Sequence, residues 1–309
     1  MASDSFGGFF SRPGPISPEP ELVPGHEVLA PPQWRSPLVF SSPHSGNVYP
    51  ARFLASSRLD AQTLRRSEDV HVDLLFAGAL DSGAPLLRAR FPRAYLDVNR
   101  EPYELDPRMF EGRLPSYANT RSLRVAGGLG TIARIVGESQ EIYARRLGVE
   151  EALGRIETLY KPYHAALRRL LGQASDRFGL AVLVDCHSMP SAAPAGDSSP
   201  RADIVIGDRF GASCDRAITD LLEEELRARG YQVQRNKPYA GGFITEHYGL
   251  PQAHSHAVQI EVNRALYMDE RSLAVSGNFD MVARDIAQTI AALAALTLFG
   301  FGRRRLAAE

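Results

Sequence analysis

A chain of 309 residues with 44% hydrophobic and 23% charged residues has ordinary globular usage, which excludes a fibrous or disordered protein. The formal net charge of -1 gives no electrostatic case for nucleic acid or an anionic membrane as partner. Two cysteines, Cys186 and Cys214, without a CxxC motif, do not make a disulfide framework and fit a reducing cytoplasm.

Residues 1–35 are dense in Pro, Ser and Gly and are expected to form a tail or an extended arm over the domain. They lack the basic and then apolar segments of a signal peptide. No apolar run reaches the ~18–20 residues that cross a bilayer, the longest candidate being Ile286 to Gly302. From Pro37 the pattern is that of a folded domain, taken to run over 36–300, with 301–309 as a basic tail. Leu38-Val39-Phe40 is a short strand running into the turn Ser41-Ser42-Pro43-His44-Ser45-Gly46. Residues Leu59 to Leu80 suit a helix, and Leu86 to Phe91 and Tyr95 to Asn99 read as strands. Glu104 to Leu129 is rich in turn formers, a long excursion of the kind often used functionally.

Helix is expected over Thr131 to Leu147 and Val149 to Phe178, with Pro162 kinking or splitting the second because proline lacks a backbone donor. Leu180 to Asp185 is a continuous apolar run, the pattern of a strand buried on both faces. Short strands follow at Asp203 to Ile206, Tyr231 to Arg235 and Ala257 to Val262, with helices over Cys214 to Arg229 and Asn278 to Leu298. Strands alternating with helices argue for an α/β three-layer sandwich around a mostly parallel or mixed sheet. Ligands in such sheets bind beyond the carboxyl ends of the strands, and His44, Asn99, His187 and Glu261 all fall at or just after such ends.

Imidazole is a good zinc ligand, and zinc with an open position usually takes three protein ligands. A lone turn histidine such as His44 is more often without a role. His187 in Asp185-Cys186-His187-Ser188 is the stronger candidate, because Asp185 can accept from its second ring nitrogen. Cys186 should point to the opposite face and pack. The third ligand is open among Glu68, Asp69 and His71. Alternation puts Gln259, Glu261 and Asn263 on one face of a strand. A carboxylate there is costly unless paired, either with Arg264 or with a site in which Glu261 acts as general base. Asn99 and Arg100 suit a substrate carboxylate, since arginine binds carboxylates bidentately. The Gly-rich stretch Lys237 to Gly249 reads as a lid or specificity loop. It has no GxxxxGK[ST] or GxGxxG pattern, and the chain has no GxSxG elbow. His254 and His256 read as exposed loop histidines.

Pro43-His44-Ser45-Gly46, Asp69-Val70-His71-Val72, Asp97-Val98-Asn99-Arg100, Lys161-Pro162-Tyr163-His164, Asp185-Cys186-His187-Ser188, Gly241-Gly242-Phe243-Ile244-Thr245, His247-Tyr248-Gly249 and Gln259-Ile260-Glu261 together resemble the N-formylglutamate amidohydrolases. The similarity runs from about Leu38 to about Ala292. It implies a phosphorylase/hydrolase-like fold, similar to that of zinc carboxypeptidases and aspartoacylases. It also implies a metal, zinc first, at His44, Asp69 and His187, with Glu261 catalytic and Asn99 and Arg100 on the substrate carboxylate. The carboxypeptidase pattern has an acidic ligand three residues after its first histidine. That position here is Asn47, so the third ligand must come from elsewhere, and Asp69 is favoured over Glu68.

The implied activity is cytoplasmic hydrolysis of an N-formyl or N-acyl amino acid, N-formyl-L-glutamate first, with no nucleic-acid or membrane partner. The alternatives are a carboxypeptidase- or aspartoacylase-like deacylase, and a binding protein without turnover. Arg65, Arg66, Arg93 and Arg121 are the candidates for a substrate side-chain carboxylate.

Overall fold

The apolar run Leu180 to Asp185 lies at the centre of the molecule. In the computed structural model, which describes residues 19–191 and 201–306, it becomes a nine-residue strand buried along its whole length. The sheet strands in chain order are β1 (His26–Leu29), β2 (Leu38–Ser42), β3 (Leu86–Ala89), β4 (Ala181–Met189), β5 (Ile204–Gly207), β6 (Val233–Arg235) and β7 (Ser255–Asn263). They form one sheet in the order β1-β3-β2-β4-β7-β5-β6. β3, β2, β4 and β7 are mutually parallel, β1 is antiparallel to β3, and β7 is antiparallel to β5, so the sheet is mixed.

The helices are α1 (Ala51–Ser56), α2 (Ala61–Arg65), α3 (Val72–Leu75), α4 (Leu123–Ala126), α5 (Val149–Arg155), α6 (Lys161–Phe178), α7 (Arg216–Ala228), α8 (Phe243–Tyr248) and α9 (Phe279–Leu306). The period-2 alternation of strands divides the core in two. Val39, Ala181, Leu183 and Ala257 join Tyr163, Leu167, Leu170, Ile244 and Tyr248 under α6 and α8. Leu38, Phe40, Val182, Val184, Cys186, Val258 and Ile260 join Ile218, Leu222, Ile286 and Ile290 under α7 and α9. The result is an α/β three-layer sandwich, and Cys186 packs on the face opposite His187 as alternation requires.

Of the expected arm, residues 1–18 lie outside the described residues, while His26–Leu29 is an edge strand of the sheet. Of the expected tail, 307–309 lie outside them, and α9 continues to Leu306. A stretch of α9, Phe279–Leu298, is long and apolar enough to cross a bilayer, longer than the sequence reading allowed. Its Val282, Ile286, Ile290 and Leu293 stripe is buried in the core, which accounts for its hydrophobicity.

Three expected elements are different. The helix over Leu59 to Leu80 is broken into α2, α3 and a 3-10 turn at Ala77–Ala79, and His71 has a left-handed backbone at φ 64°. Tyr95 to Asn99 is irregular, because the Asp97 carboxylate accepts from the Asn99 N–H and the Asp97 N–H goes to the Thr131 carbonyl, in competition with a strand ladder. Thr131 to Leu147 forms no α-helix before Leu147 either: it holds a short antiparallel pair, Ile135–Val136 with Gln140–Glu141, joined by a 3-10 turn at Gly137–Ser139. Pro162 does not split its helix. A π-turn over Ile156–Tyr160 joins α5 to α6 and places the proline in the first turn of α6, where no N–H is required.

Candidate metal centre and active site

His44 sits two residues beyond β2, in a turn that passes against the 90–91 backbone. A Cβ on Gly46 would lie 2.2 Å from the Phe91 carbonyl oxygen, so only glycine fits that approach. The turn is tied to the 67–71 loop by the Asp69 N–H, which donates to the His44 carbonyl at 2.9 Å. His187 rises from the C-terminal part of β4, on the face that Glu261 shares on β7.

The three candidates for the third ligand are now separated in space. Asp69 Oδ2 lies 2.9 Å from His187 Nδ1 and 3.3 Å from His44 Nδ1. Glu68 points away, accepting from the Tyr49 hydroxyl at 2.6 Å and from Arg65 Nε at 3.2 Å. His71 Nε2 donates to the Leu273 carbonyl at 3.0 Å. Single ligand atoms of His44, Asp69 and His187 all lie within 4.8 Å of one another, and all three residues are buried.

The remaining ring nitrogens face carboxylates. His44 Nε2 donates to Asp97 Oδ1 at 2.8 Å, and His187 Nε2 donates to Asp185 Oδ2 at 2.9 Å. A carboxylate only accepts, so each Nε2 carries the proton, and both Nδ1 atoms aim at Asp69. Among the described residues, His44 Nδ1 is buried with no hydrogen-bond partner. Nitrogen lone pairs converging on a carboxylate oxygen repel unless a proton or cation stands between them. Burial alone would lower the His187 pKa, but Asp185 and Asp69 raise it well above the ordinary value. Burial works to raise Asp69, and its two histidine partners outweigh this and hold it well below the usual range. The donor set therefore fits a divalent cation, which would take the place of those inner protons.

Supports surround this centre. Arg264 binds Asp69 Oδ1 at 3.1 Å and Ser188 Oγ at 3.0 Å, so it is paired to Asp69 and not to Glu261. Burial works to raise Asp97, but Arg100, His44 and Arg93 hold it well below the carboxylate range. Glu261 accepts from Gln259 Nε2 at 2.8 Å, and Gln259 Oε1 accepts from the Gly242 N–H at 2.7 Å. Burial, with Asp69 and Asp185 adding to it against the pull of His187 and Arg93, raises the Glu261 pKa to about 7.

Asn99 Oδ1 accepts from the Ile244 N–H at 2.7 Å, and its Nδ2 lies 3.3 Å from Asp185 Oδ2 and 3.0 Å from His187 Nε2. A Cβ on Gly242 would fall 2.4 Å from the Asn99 amide nitrogen, which explains the glycine at the start of α8. Arg100 donates to the Leu129 and Asn99 carbonyls and lies 3.5 Å from Asp97 Oδ2. Burial, with Arg93 and Arg124 adding to it, lowers the Arg100 pKa to about 10.

His44, Asp69, Asn99, Arg100, His187 and Glu261 all line one open cavity of about 640 Å³, together with Arg66, Arg93, Arg124, Tyr239, Gln259 and Arg264. Arg65 and Arg121 are not among its walls. His256 is buried in β7 and accepts from the Asp215 N–H, unlike the exposed loop residue expected. Sequence reasoning gave no role to Asp97, whose Asp-x-Asn spacing was the available signal. It also missed Tyr160 and His164, which donate to the Arg100 and Val98 carbonyls and fix the 98–100 backbone.

The sequence profile of the family described as N-formylglutamate amidohydrolase matches residues 36–268. An N-formylglutamate deformylase of Pseudomonas putida is 32% identical over 247 residues, which are 79% of this chain and 86% of that protein. One of Pseudomonas aeruginosa is 32% identical over 249 residues, covering 80% and 87%. The crystal structure of N-formylglutamate amidohydrolase from Ralstonia eutropha superposes with a TM-score of 0.85 at 37% identity, covering 89% of this chain and 99% of that one. With the family profile spanning three-quarters of the sequence and the sheet shared with a solved member, this chain belongs to the N-formylglutamate amidohydrolase family.

Proposed function

We propose that the protein hydrolyses the amide of an N-formyl or N-acyl amino acid, N-formyl-L-glutamate first, releasing formate and the free amino acid, and that it works in the cytoplasm. The observation that carries this reading is the convergence of His44 Nδ1, Asp69 Oδ2 and His187 Nδ1 beside the buried Glu261 in an arginine-rich cavity. The deformylase names of the Pseudomonas relatives supply the substrate.

His44, Asp69 and His187 would hold the ion, zinc in the first instance. The Asp69 oxygen lies 3.3 and 2.9 Å from the two imidazole nitrogens, and all three donor atoms lie within 4.8 Å of one another, so one small cation could be held by them. Such an ion, when bound, supplies a Lewis acid that polarises the acyl carbonyl and makes water more acidic.

The protein's own residues then divide the work. Gln259 fixes one Glu261 oxygen and leaves the other to take a proton as water attacks the acyl carbon. A new carbon–oxygen bond forms, Glu261 returns the proton to the amide nitrogen, and the carbon–nitrogen bond breaks. Arg100 and Asn99 hold the α-carboxylate, so that the attack proceeds within one oriented complex. Asp97 and Asp185 keep the imidazoles turned inward.

The test is amine release from a panel of N-formyl-, N-acetyl- and peptide-linked amino acids, with metal content measured in parallel. Preferred cleavage of formylated amino acids by metal-bearing protein is expected. Bound metal with no hydrolysis across the panel would identify a binding protein without turnover.

A further inference from the structure

The cavity holds more cationic charge than its own carboxylates balance. Arg264 is engaged by Asp69, Ser188 and two main-chain carbonyls. In the same cavity, Arg93 and Arg100 share a single carboxylate, Asp97, at 3.0 and 3.5 Å. Beside them stands Arg124 on α4, half-buried, its side chain with no hydrogen bond or ion pair among the described residues. It is near enough to Arg100 that its charge adds to the depression of the Arg100 pKa. The Arg66 side chain is also unpaired among the described residues but is exposed.

The Arg100 side chain and the Arg124 main chain meet at Leu129. The Leu129 N–H donates to the Arg124 carbonyl at 2.8 Å, and the Leu129 carbonyl accepts from Arg100 Nε at 2.9 Å. One residue thus ties both arginines together. Ser122 caps α4 by accepting from the Val125 N–H at 3.1 Å, which anchors its start. Two cationic side chains lining one cavity, with a third beside them and one carboxylate among the three, complement a ligand bearing two carboxylates.

We propose that Arg124 is a specificity-determining residue that binds the side-chain carboxylate of a dicarboxylic N-acyl amino acid while Arg100 holds the α-carboxylate. This rests on the deformylase reading and names the residue that selects within it. A bidentate arginine–carboxylate pair matches the geometry of that terminal group.

The experiment compares kcat/KM for N-formyl-L-glutamate with that for the isosteric, neutral N-formyl-L-glutamine, in the metal-loaded wild type and in Arg124→Gln, Arg124→Lys and Arg66→Gln. In Arg124→Gln the glutamate-to-glutamine ratio falls about 10- to 100-fold, the range for loss of a charged hydrogen bond, and the loss lies in KM. Arg124→Lys retains part of the ratio. Equal loss on both substrates, no loss on either, or a collapse of the ratio only in Arg66→Gln would overturn the assignment. A wild type that cleaves both formyl substrates without preferring glutamate would overturn it too, while the deformylase reading stood. A wild type that cleaves no formyl amino acid would overturn that reading and the assignment with it.

Discussion

Glu261 stands directly opposite His187: the two are register partners on the parallel strands β7 and β4, with their side chains on one face of the sheet. Neighbouring strands lie about 4.8 Å apart by virtue of their backbone hydrogen bonds. The separation of the proposed base from a proposed ligand is therefore set by the central sheet and not by a loop. Glu261→Gln keeps that geometry and the Gln259 contact while removing the basic oxygen. It is expected to lower kcat by about 10²- to 10⁴-fold, the usual worth of a general base, with metal content unchanged. Steady-state kinetics and metal analysis on the folded variant check this, and full turnover would remove Glu261 from the base role.

Asp69 and its neighbour Glu68 should behave differently although both are buried. Asp69→Asn removes the carboxylate that lies between the two Nδ1 atoms, and should strip the metal and abolish measurable turnover. Glu68→Gln disturbs the Tyr49 and Arg65 contacts and should cost stability while leaving a metal-binding protein. Metal per chain after dialysis distinguishes the two, and equal metal loss in both would contradict the assignment.

The outer carboxylates give a graded effect. Asp97→Asn or Asp185→Asn leaves the ligands in place but replaces the carboxylate that orients an imidazole by a neutral amide, whose oxygen is a weaker acceptor. A loss of about 10- to 100-fold in metal affinity is expected, as for other groups that orient metal-binding histidines. A competition titration against a chelator measures it, and unchanged affinity in both variants would show that the carboxylate charges do not support the metal ligands.

The helical motif Lys161 to His164 has a consequence for pH. His164 donates from Nε2 to the Val98 carbonyl and accepts at Nδ1 from the Tyr248 hydroxyl, as a neutral ring. Burial is the main cause that lowers its pKa to about 4. The unfolded chain takes up this proton near pH 6.5 and the folded protein only near pH 4. Stability is therefore full above about pH 6.5 and declines as pH falls towards 4, by about 3 kcal/mol in all from this group. Urea unfolding at pH 5 and pH 7 should show a smaller difference for His164→Asn than for the wild type. An identical difference would mean that His164 does not titrate in this window.

Much of this was legible in the sequence for a physical reason. The β4 and β7 segments combine apolar even positions with Asp185, His187, Gln259 and Glu261 at odd ones, and a period of two can place those groups on one face only. His44 was readable as a turn residue but gained its meaning from Asp69 and Asp97, which lie 25 and 53 residues further on in sequence. The failures cluster around irregular backbone. Tyr95 to Asn99 has strand-like composition but is held by side-chain and Thr131 contacts, and the 67–71 loop has helix-like periodicity yet turns through His71 to present Asp69. Arg124 carried no local signal, since its place beside Arg100 depends on a hydrogen bond through Leu129.

The most direct test of the account is turnover of N-formyl-L-glutamate by protein stripped of metal and then reloaded. Formate and glutamate release should vanish in the stripped protein and return on addition of about one equivalent of zinc. It should not return in His44→Ala or His187→Ala. Undiminished hydrolysis by stripped protein, or hydrolysis that survives in both histidine variants, would contradict a reaction centred on His44, Asp69 and His187.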